Sequence, residues 1–191
     1  ETVFAQLRSR LDRFYQKVSG LSHLNVVRKS DFSADEAYDF DESKIIIFTK
    51  EAMNGHTLLE LLLKKYELQL EMAAGNYVLA LASVMDTDEG FDRLADALIE
   101  IDRQLEKYKS DFEEFYDILK QEGVVHKFYL PVKMDTDIYQ KLPAVMEMYD
   151  AYDADHQAVY AFKASGKVSG AFINIYPPGI PLVVPGEIMN D

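Results

Sequence analysis

The stretch that decides the fold runs Leu68-Gln-Leu-Glu-Met72-Ala-Ala-Gly75-Asn-Tyr77-Val-Leu-Ala-Leu-Ala-Ser-Val84, followed by Thr87-Asp-Glu89. Leu68, Leu70 and Met72 alternate with polar residues, which puts them on one face of a strand over 68–72. Residues 77–84 form a second apolar run, and Ala74-Gly75-Asn76 between the two reads as a turn. Thr87-Asp-Glu89 then opens a helix with the apolar stripe Phe91, Leu94, Ala95, Leu98, Ile101 and Leu105. Strand pairs and helices without regular βαβ alternation predict α+β layers rather than a doubly wound sheet.

On the N-terminal side, residues 2–18 read as an amphipathic helix. Phe4, Leu7, Leu11, Phe14 and Val18 recur at helical spacing, and Gly20 is a stop. Residues 24–27 suit a short strand. Ser33-Ala-Asp-Glu36 has the capping-box pattern ahead of a brief acidic stretch. Residues 45–49 are β-branched and apolar, a buried strand. Asn54-Gly55 is a turn signal, and Thr57-Leu-Leu-Glu60 is a capping box opening a Leu-rich helix to about Tyr66.

On the C-terminal side, Ser110-Asp-Phe-Glu113 caps a helix carrying Phe115, Ile118 and Leu119, which Gly123 ends. Strands are expected over 124–132, 159–162 and 168–175. A short helix is expected over 138–148, and an acidic loop over 150–157. Four of the six prolines lie in 176–187, a rigid, extended, non-helical tail.

The chain has 191 residues, 20 Lys+Arg against 33 Asp+Glu, and a formal net charge of −13. That balance repels phosphate backbones and anionic lipid, so neither nucleic acid nor membrane is an expected partner. The apolar runs at 44–48 and 77–84 are too short to span a bilayer. The chain has no Cys, which excludes disulfides, Cys-ligated zinc, iron–sulfur clusters and thiol catalysis, and fits a cytoplasmic protein. It opens on Glu1 rather than Met, which suggests an excised or processed chain.

Chemistry-bearing motifs are sparse. No two of His23, His56, His126 and His156 stand at helical metal-pair spacing, and Asp150, Asp153, Asp155 and His156 lack the glycine and glutamate of a calcium loop. No phosphate-cradling glycine cluster or nucleophile elbow is present.

The tail Tyr176-Pro-Pro-Gly-Ile-Pro-Leu-Val-Val-Pro-Gly-Glu187 resembles the signature near the end of the pyridoxal-phosphate-dependent ornithine/lysine/arginine decarboxylases of fold-type I. Gly166-Lys-Val-Ser169 is similar to the turn that precedes the family's next strand. Upstream, Glu67–Met72, Tyr77–Thr87, Phe91-Asp-Arg-Leu94 and Ala97-Leu98 resemble its small-domain strand–strand–helix. Asn54-Gly-His-Thr-Leu58 resembles the start of the preceding helix. The matches follow the family's order from Ile45 to Glu187.

The resemblance implies a C-terminal portion in two parts. Residues 1–123 would be the small domain with an N-terminal linking helix. Residues 124–191 would be an α+β subdomain ending in the proline-rich tail. It also implies what is elsewhere: the Schiff-base lysine in a Ser-x-His-Lys setting, the aspartate under the pyridine nitrogen, and the phosphate loop. His126-Lys127 lacks the preceding Ser and reads as structural. No catalytic, cofactor-binding or metal residue is therefore assigned in this chain. Pyridoxal phosphate would belong to the parent enzyme and not bind here. The implied partners are a large domain, a second subunit and a basic amino acid.

Glu187 and Tyr176 are the candidates for the substrate mouth, where a carboxylate would attract the distal cation. Against that, Glu187 also suits a first-turn acid beside a helix dipole, and Tyr176 suits simple packing. A stand-alone binding or assembly module for basic ligands is the alternative to a decarboxylase portion.

Overall fold

A computed structural model describes residues 2–35, 37–50, 52–109, 112–121, 123, 141–176 and 179–190. The architecture is mixed α+β, and the chain divides into two compact units, 1–134 and 135–191. The expected division after Gly123 falls beside residues 124–140, so the expected strand at 124–132 and the pair His126-Lys127 lie outside the described residues, as does Ser110.

In the first unit, α1 is Thr2–Lys17, β1 Asn25–Val26, β2 Lys44–Phe48, α2 Gly55–Tyr66, β3 Met72–Ala74, β4 Tyr77–Leu81, α3 Asp88–Lys107 and α4 Phe112–Gln121. The strands make one antiparallel sheet in the order β1-β2-β4-β3, with Ile45 opposite Ala80 and Ile47 opposite Val78. Period-2 alternation sends Val26, Ile45, Ile47, Ala73, Val78 and Ala80 into the core. Leu7, Leu11 and Phe14 of α1, Leu58, Leu61 and Leu62 of α2, and the expected stripe of α3 join them there. Each large buried side chain contributes about 1.5–3 kcal/mol relative to exposure.

Helix α3 begins as its sequence requires. The Thr87 side chain accepts from Gly90 N–H at 3.1 Å, and Asp88 and Glu89 occupy the positive first turn. Arg10 and Arg13 of α1 pair with Asp88, while Lys17 reaches Asp92 and Asp96. The acidic flank of α3 is thus partly neutralised by α1.

Helix α2 starts three residues earlier than the Thr57 capping box indicates. Asn54 is the cap, accepting from His56 N–H at 2.9 Å. Gly55 donates to Gly75 O at 2.8 Å, and a Cβ at position 55 would collide with the Tyr77 carbonyl. Docking against the β3–β4 turn therefore sets the start of α2. At its other end Glu67 turns left-handed (φ 54°) and Leu68 N–H returns to Leu62 O. That turn delays the expected strand at 68–72 to Met72–Ala74, although Leu68 and Leu70 still pack on the core. Among the described residues of 33–43 none is helical.

Asp102, on α3, is buried and accepts three backbone N–H groups: Ser22 at 3.0 Å, His23 at 2.8 Å and Leu24 at 2.8 Å. One carboxylate thereby ties the connection after α1 to the middle of the longest helix.

In the second unit, α5 is Met148–Asp153, β5 Ile173–Ile175 and β6 Ile180–Val183. The last two pair antiparallel with a bulge between Ile173 and Asn174. Three expectations are corrected here. Residues 141–147 are not helical, because Ala144 bridges to Glu187 and Pro143 O accepts from Ile188 N–H; the helix starts at Met148 and runs to Asp153, into the expected acidic loop. Residues 161–163 form a 3-10 turn instead of a strand. The expected strand at 168–175 is interrupted, with Val168 bridging Ile188 and only Ile173–Ile175 in the hairpin. Extended pairing with the tail outweighs local propensity around Ala144 and Val168.

Candidate functional site

Glu187 ends a tight turn. Val184-Pro185-Gly186-Glu187 places proline second and glycine third with φ 94°, and Glu187 N–H returns to Val184 O at 3.2 Å. A side chain at Gly186 would strike the Met146 carbonyl. The Glu187 carboxylate folds back on the same turn, its Oε2 accepting from Val184 N–H at 2.9 Å. The side chain is half-buried and held in one orientation.

The backbone around this turn is clamped on both sides. Ser169 N–H donates to Glu187 O at 2.8 Å, and Gly186 N–H to Ser169 O at 2.8 Å. On the other side Val145 N–H donates to Gly186 O and Ile188 N–H to Pro143 O, both at 2.9 Å. Ser169 is buried, and its hydroxyl donates to Ala171 O at 2.7 Å. Two segments far apart in sequence therefore fix the Pro-Gly-Glu turn in the middle of the unit.

Tyr176 sits elsewhere. It is 85% exposed at the tip of the β5–β6 hairpin. The four residues of β6 separate it from the Glu187 turn, about 13 Å of strand. The structure does not bring the two candidates together at one point. They mark the two ends of β6.

Sequence reasoning missed His156 and Gly170. His156 Nε2 lies 3.0 Å from Gly170 O, and a Cβ at Gly170 would meet the Cδ2–Nε2 edge of the His156 ring at 1.9–2.0 Å. A glycine inside an apolar strand pattern is the signal that marked such a close approach. Beside this contact runs a groove of about 610 Å³, lined by Tyr152, Val159, Lys167 and Met189 among others. Among the described residues no group of three His, Asp or Glu converges as a metal site, and no helix is long and apolar enough to cross a membrane.

Residues 133–191, which include the clamped turn, match the family described as Orn/Lys/Arg decarboxylase, C-terminal domain. The match is to the C-terminal domain of that decarboxylase family and covers the last 59 of the 191 residues. The matched stretch coincides with the second compact unit to within two residues. The likeness extends upstream of it. The chain is 28% identical over 157 residues to an arginine decarboxylase of Bacillus subtilis, covering 81% of this chain and 28% of that protein. It is 25% identical over 183 residues to an arginine decarboxylase of Halalkalibacterium halodurans, covering 94% and 33%. The fold is similar to part of the constitutive lysine decarboxylase of E. coli, with TM-score 0.64, 16% identity, and coverage of 99% of this chain and 34% of that one. The Francisella novicida lysine decarboxylase LdcF gives TM-score 0.65, 15% identity, and coverage of 100% and 34%. The chain thus spans about a third of the length of the relatives it resembles.

Proposed function

We propose that this chain is the C-terminal portion of a pyridoxal-phosphate-dependent decarboxylase of basic amino acids, cytoplasmic and active in polyamine formation. In this reading it closes and shapes an active site whose cofactor is held by a preceding large domain, in an enzyme completed by a second subunit. The substrate is lysine, ornithine or arginine. The single observation that carries the reading is the clamped Pro-Gly-Glu turn inside the family-matched unit. The names of the relatives support the reaction class.

The described residues do not fit pyridoxal phosphate. A lysine that holds this cofactor must be enclosed, whereas every described lysine is exposed. No step is therefore assigned to the cofactor here. What the chain's own residues do is bind and orient. Glu187 is held by Val184 N–H through Oε2, and a carboxylate has acceptor capacity to spare. In our reading the rest of that capacity attracts the distal ammonium or guanidinium of the substrate through a charge-assisted hydrogen bond. Tyr176, at the hairpin tip, lines the outer mouth.

Glu187→Gln in the full-length enzyme separates this role from a structural one. Glutamine keeps an acceptor for Val184 N–H and loses the charge. KM for the basic amino acid should rise about tenfold, with kcat changed much less, because binding is lost equally in ground and transition states. The effect should shrink as salt is raised. Unchanged kinetics with a lowered Tm would make Glu187 a turn cap and nothing more.

A further inference from the structure

We propose that His156 is a positioning residue for Glu187, acting as a latch on the arm that carries the Pro-Gly-Glu turn. The proposal rests on the reading of Glu187 given above.

The latch is built from three consecutive positions. His156 lies so close to Gly170 that a Cβ there would push the ring aside, and its Nε2 makes a 3.0 Å hydrogen bond with Gly170 O. Gly170 directly follows Ser169. Ser169 is the residue that exchanges two backbone hydrogen bonds with Gly186 and Glu187, both 2.8 Å. Ser169 is in turn braced by its own hydroxyl on Ala171 O. The connection from His156 to the carboxylate is therefore continuous: ring to Gly170 carbonyl, Gly170 to Ser169, Ser169 to the turn, turn to Glu187 Oε2.

The remainder of the unit makes this contact count. Its buried apolar side chains among the described residues are few, chiefly Leu142, Ala151 and Ala164. A small unit with little apolar burial depends on specific polar contacts for one fixed geometry. His156 also lies beyond the end of α5, at the start of the stretch that leads to the stacked, exposed rings of Tyr160 and Phe162. No regular secondary structure holds 154–160, so the imidazole ties that stretch to the arm.

The test has two arms. In this chain, His156→Ala should speed hydrogen exchange at the Ser169 and Gly186 amides about fivefold, the loss of one ordinary hydrogen bond. The amide of Leu98, in the first unit, should not change. His156→Gln, which retains a donor for Gly170 O, should restore protection. Gly170→Ala should reproduce His156→Ala by displacing the ring. In the full-length decarboxylase, His156→Ala should raise KM for the basic amino acid with kcat nearly unchanged, and should add little to Glu187→Gln. Unchanged exchange at Ser169 and Gly186 overturns the latch. Faster exchange with multiplicative effects of the two substitutions on KM overturns the positioning role. If Glu187→Gln itself leaves KM unchanged, the substrate-mouth reading fails, and the exchange arm alone decides the latch.

Discussion

Replacing Asp102 with alanine is expected to lower the stability of the first unit by about 3 kcal/mol. The side chain accepts from three successive backbone N–H groups, those of Ser22, His23 and Leu24. Leu24 is fully buried, so its N–H would have no water to turn to once the carboxylate is gone. The Ser22 and His23 groups lie nearer solvent and recover part of their hydration, which keeps the total below three full desolvation penalties. For a unit of this size the change corresponds to a Tm lowered by roughly 10 °C. Asp102→Asn retains one acceptor oxygen and should fall between wild type and alanine. Thermal unfolding followed by circular dichroism measures this. A Tm within about a degree of wild type for the alanine variant would show that the connection after α1 is held by its apolar contacts alone.

Gly186→Ala is expected to be as severe within the second unit. Its φ of 94° lies in a region that side-chain-bearing residues occupy at a cost of about 1–3 kcal/mol. A Cβ there would also meet the Met146 carbonyl, a backbone atom with no freedom to turn aside. Relief requires moving either the turn or the segment around Ala144, and both carry the bridges that flank Glu187. Limited proteolysis should then cut within 141–190 at a concentration of protease that leaves wild type intact. The first unit, whose core is separate, should survive as a resistant fragment. Equal resistance of the two proteins would mean that the turn adapts without loss of structure.

The first unit was legible because its signals are local and repeated. The four apolar residues of β2, the apolar run of β4 and the stripe of α3 each extend one signal over several residues, and the structure follows them. The errors there lie at ends decided by contacts from elsewhere, as when the β3–β4 turn fixes the start of α2 through Gly55. Asp102 was invisible for the same reason: its partners lie 78 to 80 residues away, and an aspartate in a helix looks like any solvated charge.

The second unit was legible only as a motif. The tail carries a resemblance rather than a periodicity, and Pro185-Gly186 fits the turn that the structure contains. The segments beside it were misread, because Leu142–Ala144 and Lys167–Ser169 are extended through pairing with 186–189 and not through their own composition. Met148–Asp153 is a helix of only six residues with two aspartates, too short for periodicity to show. The candidates Glu187 and Tyr176 come from the tail motif, while the His156–Gly170 contact joins residues 14 apart that no motif links.

The claim that this chain serves a basic amino acid decarboxylase without holding its cofactor is tested most directly by carbon dioxide release. The full-length gene product and this chain alone are each supplied with pyridoxal phosphate and carboxyl-labelled arginine, lysine and ornithine in turn. Borohydride reduction and mass spectrometry then locate any lysine adduct. The full-length protein should release label from at least one of the three and carry its adduct outside these 191 residues. This chain alone should release none and carry no stoichiometric adduct. A stoichiometric adduct on the isolated chain, at Lys127 for instance, or a full-length protein inert toward all three amino acids, would contradict the account.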